Sequence, residues 1–413
     1  MGTLAEEIFS RKVGRPVEAG ELVVAPLDLV MSHDTTTPLA VEAFQQLRER
    51  VWDPDRIAIV LDHIMPPASI PTAALHQITR KFVKEQGIAN FFQEGVCHQV
   101  IVEKGLAWPG ALIIGGDSHT CTYGAVGAFA TGMGSTDVGL AYATGKAWFR
   151  VPETIRVEVN GRLPKGSYAK DVILAIVRAL GVEGGNYRAI EFAGETIMAM
   201  PVGDRMTLSN MAVEFGAKAG LIEADATTLA YLGPRGRAKL APLAPANPRY
   251  EQVVELNVGE LGPLVACPPD VGNVKPVEAV EGMPLDEVFI GTCTNGRLED
   301  IAVAARLLAG KRVATHTRTI VIPASFEIYL AALEAGYVRT LMEAGAMVGN
   351  PGCGPCIGRH QGTLCAGERA LTTMNRNFTG RMGDPTSEIF IASPAVAAVS
   401  AIEGRIADPR RYL

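Results

Sequence analysis

Short apolar runs rich in β-branched residues recur along the chain, each followed by polar residues or glycine and then by a longer amphipathic stretch. The clearest are Arg56 to His63 (RIAIVLDH), Ala111 to Thr120 (ALIIGGDSHT), Glu287 to Arg297 (EVFIGTCTNGR) and Thr319 to Ser325 (TIVIPAS). Four or five consecutive apolar residues suit a strand buried on both faces, as in a parallel sheet covered by helices. The pattern predicts an α/β protein made of several doubly wound units. Ligands of such sheets bind beyond the carboxyl ends of the strands. Asp62-His63, Asp117-Ser118-His119 and Cys293-Thr294-Asn295 each follow an apolar run directly, so three strand ends are expected to face one shared cleft.

A chain of 413 residues is too long for one compact core. Two proline-rich stretches, Tyr231 to Gln252 and Leu261 to Leu285, read as a surface connection and a linker. They place domain boundaries at 1–152, 153–265 and 266–413. Apolar residues make up 48% and charged residues 20%, ordinary values for a globular protein. The net charge of −6 is spread over interspersed acids and bases, leaving no basic face for nucleic acid and no polybasic arm for a membrane. No run of about eighteen apolar residues offers a membrane span. The N-terminus lacks the apolar segment of a signal peptide, so a cytoplasmic location is expected.

The seven cysteines are few and scattered, which argues against a secreted disulfide framework. Cys353 and Cys356 form a CGPC core inside NPGCGPCIGRHQG, open to three readings: a redox dithiol, half of a zinc site, or two ligands of an iron-sulfur cluster. Its place late in the chain disfavours the dithiol. Zinc would take Cys293, Cys353 and Cys356 with Cys365 or His360. The hydroxyls, amide and guanidinium beside Cys293 favour a site with one metal position left open, as a 4Fe-4S cluster with three cysteine ligands and one open iron provides. The glycine-dense segment Gly124 to Asp137 has aspartate where a dinucleotide fingerprint needs glycine, and reads as close packing.

Proton-transfer candidates are Asp62, His63, His98, Asp117, His119 and Glu214, because a carboxylate beside an imidazole orients it and raises its basicity. Asn375, Arg376 and Arg381 in NRNFTGRMG can make forked hydrogen bonds to carboxylates, predicting a di- or tricarboxylate substrate. His33, His76, His316 and the remaining cysteines default to structural roles. His33 is the one that could border the cleft, since a polar turn with Asp34 follows it.

Taken in order, DHIMPP, GGDSHTCTYGAVGAFATGMG, GTCTNGR, PGCGPCIGRHQG and NRNFTGRMG resemble the aconitase family over nearly the whole chain. The resemblance implies three α/β/α domains around a central cleft and a 4Fe-4S cluster on Cys293, Cys353 and Cys356. It implies catalytic roles for Asp62, His63, His98, Asp117, His119 and Glu214. Substrate binding would fall to Asn375, Arg376 and Arg381, with Ser118 and Asn295 beside them. The length resembles the two-subunit branch of the family. There the fourth, swivelling domain and its catalytic serine form a separate small subunit. The resemblance implies isomerisation of 2-isopropylmalate to 3-isopropylmalate, with homoaconitase acting on homocitrate or homoaconitate, or a 2,3-dimethylmalate dehydratase, as the alternatives. Pro38, near where aconitases present a glutamine, fits a substrate other than citrate. Other readings are an RNA-binding regulator formed on cluster loss and a structural zinc protein.

Overall fold

The computed structural model describes residues 2–235, 243–245 and 247–413. The stretch from Tyr231 to Gln252 therefore lies partly outside the described residues. Two compact units share the chain. The first holds 1–93, 97–160 and 183–256, and the second holds 94–96, 161–182 and 257–413. No helix among the described residues is long and apolar enough to cross a membrane.

The first unit contains a five-stranded parallel sheet in the order Asn90–Phe92, Ile57–Val60, Leu29–His33, Leu112–Gly115, Phe129–Gly132. The strands Leu29–His33, Ile57–Val60 and Leu112–Gly115 are buried along their whole length, as the apolar runs of the latter two require. In chain order the sheet grows to one side of Leu29–His33 and then to the other, so a topological switch point lies between Leu29–His33 and Leu112–Gly115. A four-stranded sheet in the order Ala219–Ile222, Ala189–Ala193, Thr154–Asn160, Gln252–Asn257 follows in the sequence. The residues from Ser118 to Val126 coil against its edge. A Cβ on Gly124 would overlap the carbonyl oxygen of Gly220, so the glycine there permits close backbone approach.

The second unit is built on a seven-stranded sheet. Its parallel part runs Met347–Val348, Arg318–Val321, Glu287–Ile290, Arg369–Thr372, Glu388–Ala392. Growth again reverses once, between Glu287–Ile290 and Arg369–Thr372. The proline-rich stretch expected as a linker folds onto this sheet. Leu264–Ala266 pairs antiparallel with both Val274–Pro276 and Glu388–Ala392. Pro276 ends the outermost strand, where a missing N–H does least harm.

Candidate functional site

The switch point of the first unit gathers four histidines around Asp117, and Asp34, Asp62 and Glu214 hold those histidines in turn. Asp34 follows the strand Leu29–His33, Asp62 and His63 follow Ile57–Val60, and Asp117 follows Leu112–Gly115. Asp117 caps the next turn, its Oδ1 accepting the His119 backbone N–H at 2.7 Å. The same oxygen lies 2.8 Å from His98 Nε2. Its other oxygen is 3.4 Å from His63 Nε2 and 3.5 Å from His33 Nε2. Burial opposes ionisation of Asp117, but the charge of His98 and the bonds from His119, His33 and His63 outweigh it and hold the carboxyl well below its ordinary value.

A second carboxylate plays the same part underneath. Asp34 accepts the backbone N–H groups of His63 at 3.2 Å and Ile64 at 2.8 Å, and His76 Nε2 lies 3.3 Å away. Burial would raise it, yet His33 and His76 keep it strongly depressed. Asp62 holds His63 from the side, with Oδ1 2.7 Å from Nδ1, and its Oδ2 accepts the Cys97 N–H at 2.7 Å. The rings of His33 and His63 stack at 3.9 Å. His119 bridges Ser118, 3.4 Å from its Nδ1, and Glu214, 2.7 Å from its Nε2. Burial pulls the pKa of His98 down, against the pull of Asp117. His98 Nε2 is held against Asp117, while His63, 13% exposed at its side chain, is the imidazole with access to a reactant.

All seven candidates of this unit thus fall in one network: Asp62, His63, His98, Asp117, Ser118, His119 and Glu214. His33 and His76, expected to be structural, join them together with Asp34. The usable signal was the apolar run LVMS directly before His33-Asp34, which is another strand end of the same kind. Glu214 comes from a 3-10 turn, Ala212–Phe215, continuing the helix Val202–Met211.

The second unit places Cys293, Thr294 and Asn295 after Glu287–Ile290, and Asn375 and Arg376 after Arg369–Thr372. The Asn375 amide donates to Thr294 Oγ1 at 3.0 Å and to Cys293 Sγ at 3.4 Å. Asn295 donates to Asp300 at 2.9 Å, and the Arg297 guanidinium reaches the Cys293 carbonyl at 2.7 Å. Arg297 is a further buried guanidinium of this loop, visible in the motif but assigned no role from sequence. Thr292 turns the chain here with φ +75°, a costly conformation for a β-branched residue. Cys356 lies in the turn Gly354–Ile357 that Cys353 caps, and Arg381 Nη2 approaches its sulfur at 4.0 Å. Cys365 is exposed, unlike these three. The Nε of half-buried Arg381 finds no hydrogen-bond partner among the described residues.

The metal expectation is corrected by this geometry. Among the described residues, the groups whose ligand atoms converge within 4.8 Å of one another are His33-Asp34-Asp62-His63 and His98-Asp117-His119. Cys293, Cys353 and Cys356 form no such group, so the 4Fe-4S ligand set assigned to them does not stand. Spacing along the chain put two thiols in one loop, but glycine-rich backbone aims side chains independently of spacing. The nearest N···O separations in the histidine-aspartate groups, 2.7 and 2.8 Å, are those of shared protons.

The model of the aconitase family (aconitate hydratase) matches residues 6–404. Over 415 aligned residues the chain is 52% identical to 3-isopropylmalate dehydratase large subunit 1 of Methanopyrus kandleri, covering 100% of this chain and 99% of that one. It is 50% identical to a probable methanogen homoaconitase large subunit of Methanothermobacter thermautotrophicus, with 99% and 97% covered. Aconitase X of Thermococcus kodakaraensis in its holo-form shares the fold at 13% identity, with a TM-score of 0.52 over 91% of this chain and 89% of that one. A switch-point network built for proton transfer, inside a sequence match that runs almost end to end, places this chain in the aconitase family, as a hydro-lyase.

Proposed function

We propose that the chain is the large subunit of a cytoplasmic isomerase that converts 2-isopropylmalate to 3-isopropylmalate through isopropylmaleate, a step of leucine biosynthesis. A small subunit supplies the swivelling domain and the serine that removes the carbon-bound proton. Dehydration breaks one C–H and one C–O bond and forms a C=C bond, so hydroxide must receive a proton as it departs. His63 is the donor: Asp62 fixes its Nδ1, and its partly exposed ring presents Nε2 beside Asp117. His98, His119 and Glu214 hold Asp117 and its neighbours in register. Rehydration runs the same transfers backwards onto the neighbouring carbon.

The carboxylates of the substrate are assigned to Arg376 and Arg381, with Asn375 and Asn295 of the same unit completing the polar contacts. The unmet Nε–H of Arg381 supports this, since a planar fork with a free donor suits a carboxylate. The observation that carries the reading is the Asp117 network, in which one depressed carboxylate serves several imidazoles. The relative of similar identity named for homoaconitase favours a second reading, homocitrate and homoisocitrate interconversion in lysine biosynthesis. Assay of the reconstituted two-subunit enzyme with 2-isopropylmalate and with homoaconitate, following the unsaturated acid by absorbance, decides between them. Turnover of homoaconitate alone refutes the first.

A further inference from the structure

Lys170 is the second residue of the helix Ala169–Leu180 and is completely buried. Its ammonium donates to the carbonyl of Thr373 at 2.9 Å and to that of Met374 at 3.0 Å. Removing an ammonium from water costs several kcal/mol, and an apolar side chain would pack this helix against its sheet without that cost. Burial indeed draws the lysine pKa down to about 7, against the attraction of Asp300. So costly a residue needs a role that packing does not supply.

The two carbonyls it holds belong to the residues directly before Asn375 and Arg376. Thr373 already stitches two strand ends together. Its hydroxyl donates to the Gly291 carbonyl at 3.1 Å and accepts the Gly291 N–H at 3.0 Å. Two residues on, the Asn375 amide reaches Thr294 and Cys293. With both preceding carbonyls tied to one ammonium, rotation of those peptide planes is restrained, and the Asn375 side chain lies on the side of the Cys293 loop.

We propose that Lys170 is a positioning residue, gripping the carbonyls of Thr373 and Met374 so that the turn after this strand presents Asn375 and Arg376 in binding geometry. Its consequence for turnover rests on the reading that those two residues bind the substrate; its consequence for the loop does not.

Lys170→Met keeps the bulk of the stem and removes the donors. In the two-subunit enzyme the KM for the hydroxy acid should rise about tenfold with kcat nearly unchanged. Adding Lys170→Met to Asn375→Ala should then raise KM no further, because the lysine acts through the asparagine. In the free chain, alkylation of Cys293 by iodoacetamide, read by mass spectrometry, should accelerate several-fold as the amide leaves the sulfur. Alkylation of exposed Cys365 serves as the internal control and should not change. Unchanged Cys293 alkylation in a folded Lys170→Met chain overturns the proposal. Accelerated alkylation in a chain whose native complex turns over no hydroxy acid upholds the positioning role and overturns the substrate reading instead. If Lys170→Met does not fold, Lys170→Gln, which retains a neutral donor for one carbonyl, takes its place under the same two outcomes.

Discussion

Both units build a parallel sheet of five strands in one order, with three strands laid to one side and two to the other, and both place polar residues where the order reverses. The chemistry at the two reversals differs. In the first unit buried Asp34 and partly buried Asp117 are surrounded by histidines and stay ionised. In the second the reversal carries Cys293, Thr294 and Asn375, and the buried acids lie away from it, Asp171 on the helix Ala169–Leu180 and Glu287 at the first residue of the strand Glu287–Ile290. Burial lifts Asp171 to about 7 although the backbone N–H groups of Leu264 and Tyr168 bond to it, and lifts Glu287 to about 7 although Arg318 touches it. One topology therefore supplies a place, and the side chains at the strand ends decide whether that place holds charge for proton transfer or amide and guanidinium groups for an anion.

The largest effect expected from breaking this contrast is at Asp117. Asp117→Asn replaces the common anionic acceptor of His33, His63 and His98 with a neutral amide that keeps one acceptor oxygen, and kcat in the two-subunit enzyme should fall about a thousandfold. Retention of most activity would show that the network is scaffolding. Arg381→Lys, in the second unit, keeps the charge and loses the fork. It should raise KM roughly ten- to a hundredfold, the span of one charged hydrogen bond, with a smaller change in kcat. A kcat effect alone would remove Arg381 from substrate binding. His33→Asn removes the ring stacked on His63, and kcat should fall about tenfold or less with KM steady.

The smallest effect sharpens the contrast through pH, and its sign is opposite in the two units. A carboxyl depressed on folding, such as Asp117, stabilises the fold above its unfolded pKa of about 3.9, and that contribution is lost as pH falls toward the folded value. A carboxyl raised on folding, such as Glu287, favours the fold while protonated, and the benefit is lost as pH rises from about 4 through about 7. Urea midpoints should therefore favour native Asp117 over Asp117→Asn near neutral pH and less so in acid. Between about pH 5 and pH 8, Glu287→Gln should gain on the native chain. Parallel pH dependence for the two variants would contradict the assigned shifts.

Strands were legible because burial on both faces leaves an unbroken apolar run, so RIAIV, ALIIG, EVFI and TIVI marked four of them correctly. Asp62, His63, Asp117 and His119 were legible because they follow those runs, whereas His98 and Glu214 sit on helical segments. His33 and Asp34 were underrated only because LVMSHD is a less uniform run of the same kind. The stretch Leu261 to Leu285 was misread because proline suggests a loop, whereas an edge pair tolerates it.

By itself the sequence determined the α/β class, the strand ends and the family, since these depend on composition of short segments and on motif order. Tertiary structure alone decided which polar groups meet. Asp117 collects His98 from 19 residues away and His33 from a different strand, and His119 finds Glu214 across 95 residues. It also decided that the three cysteines do not converge within 4.8 Å of one another as the histidines and aspartates do. Spacing in a chain constrains only neighbours, and the direction of a side chain at the end of a loop is set by backbone torsions and packing that no short motif encodes.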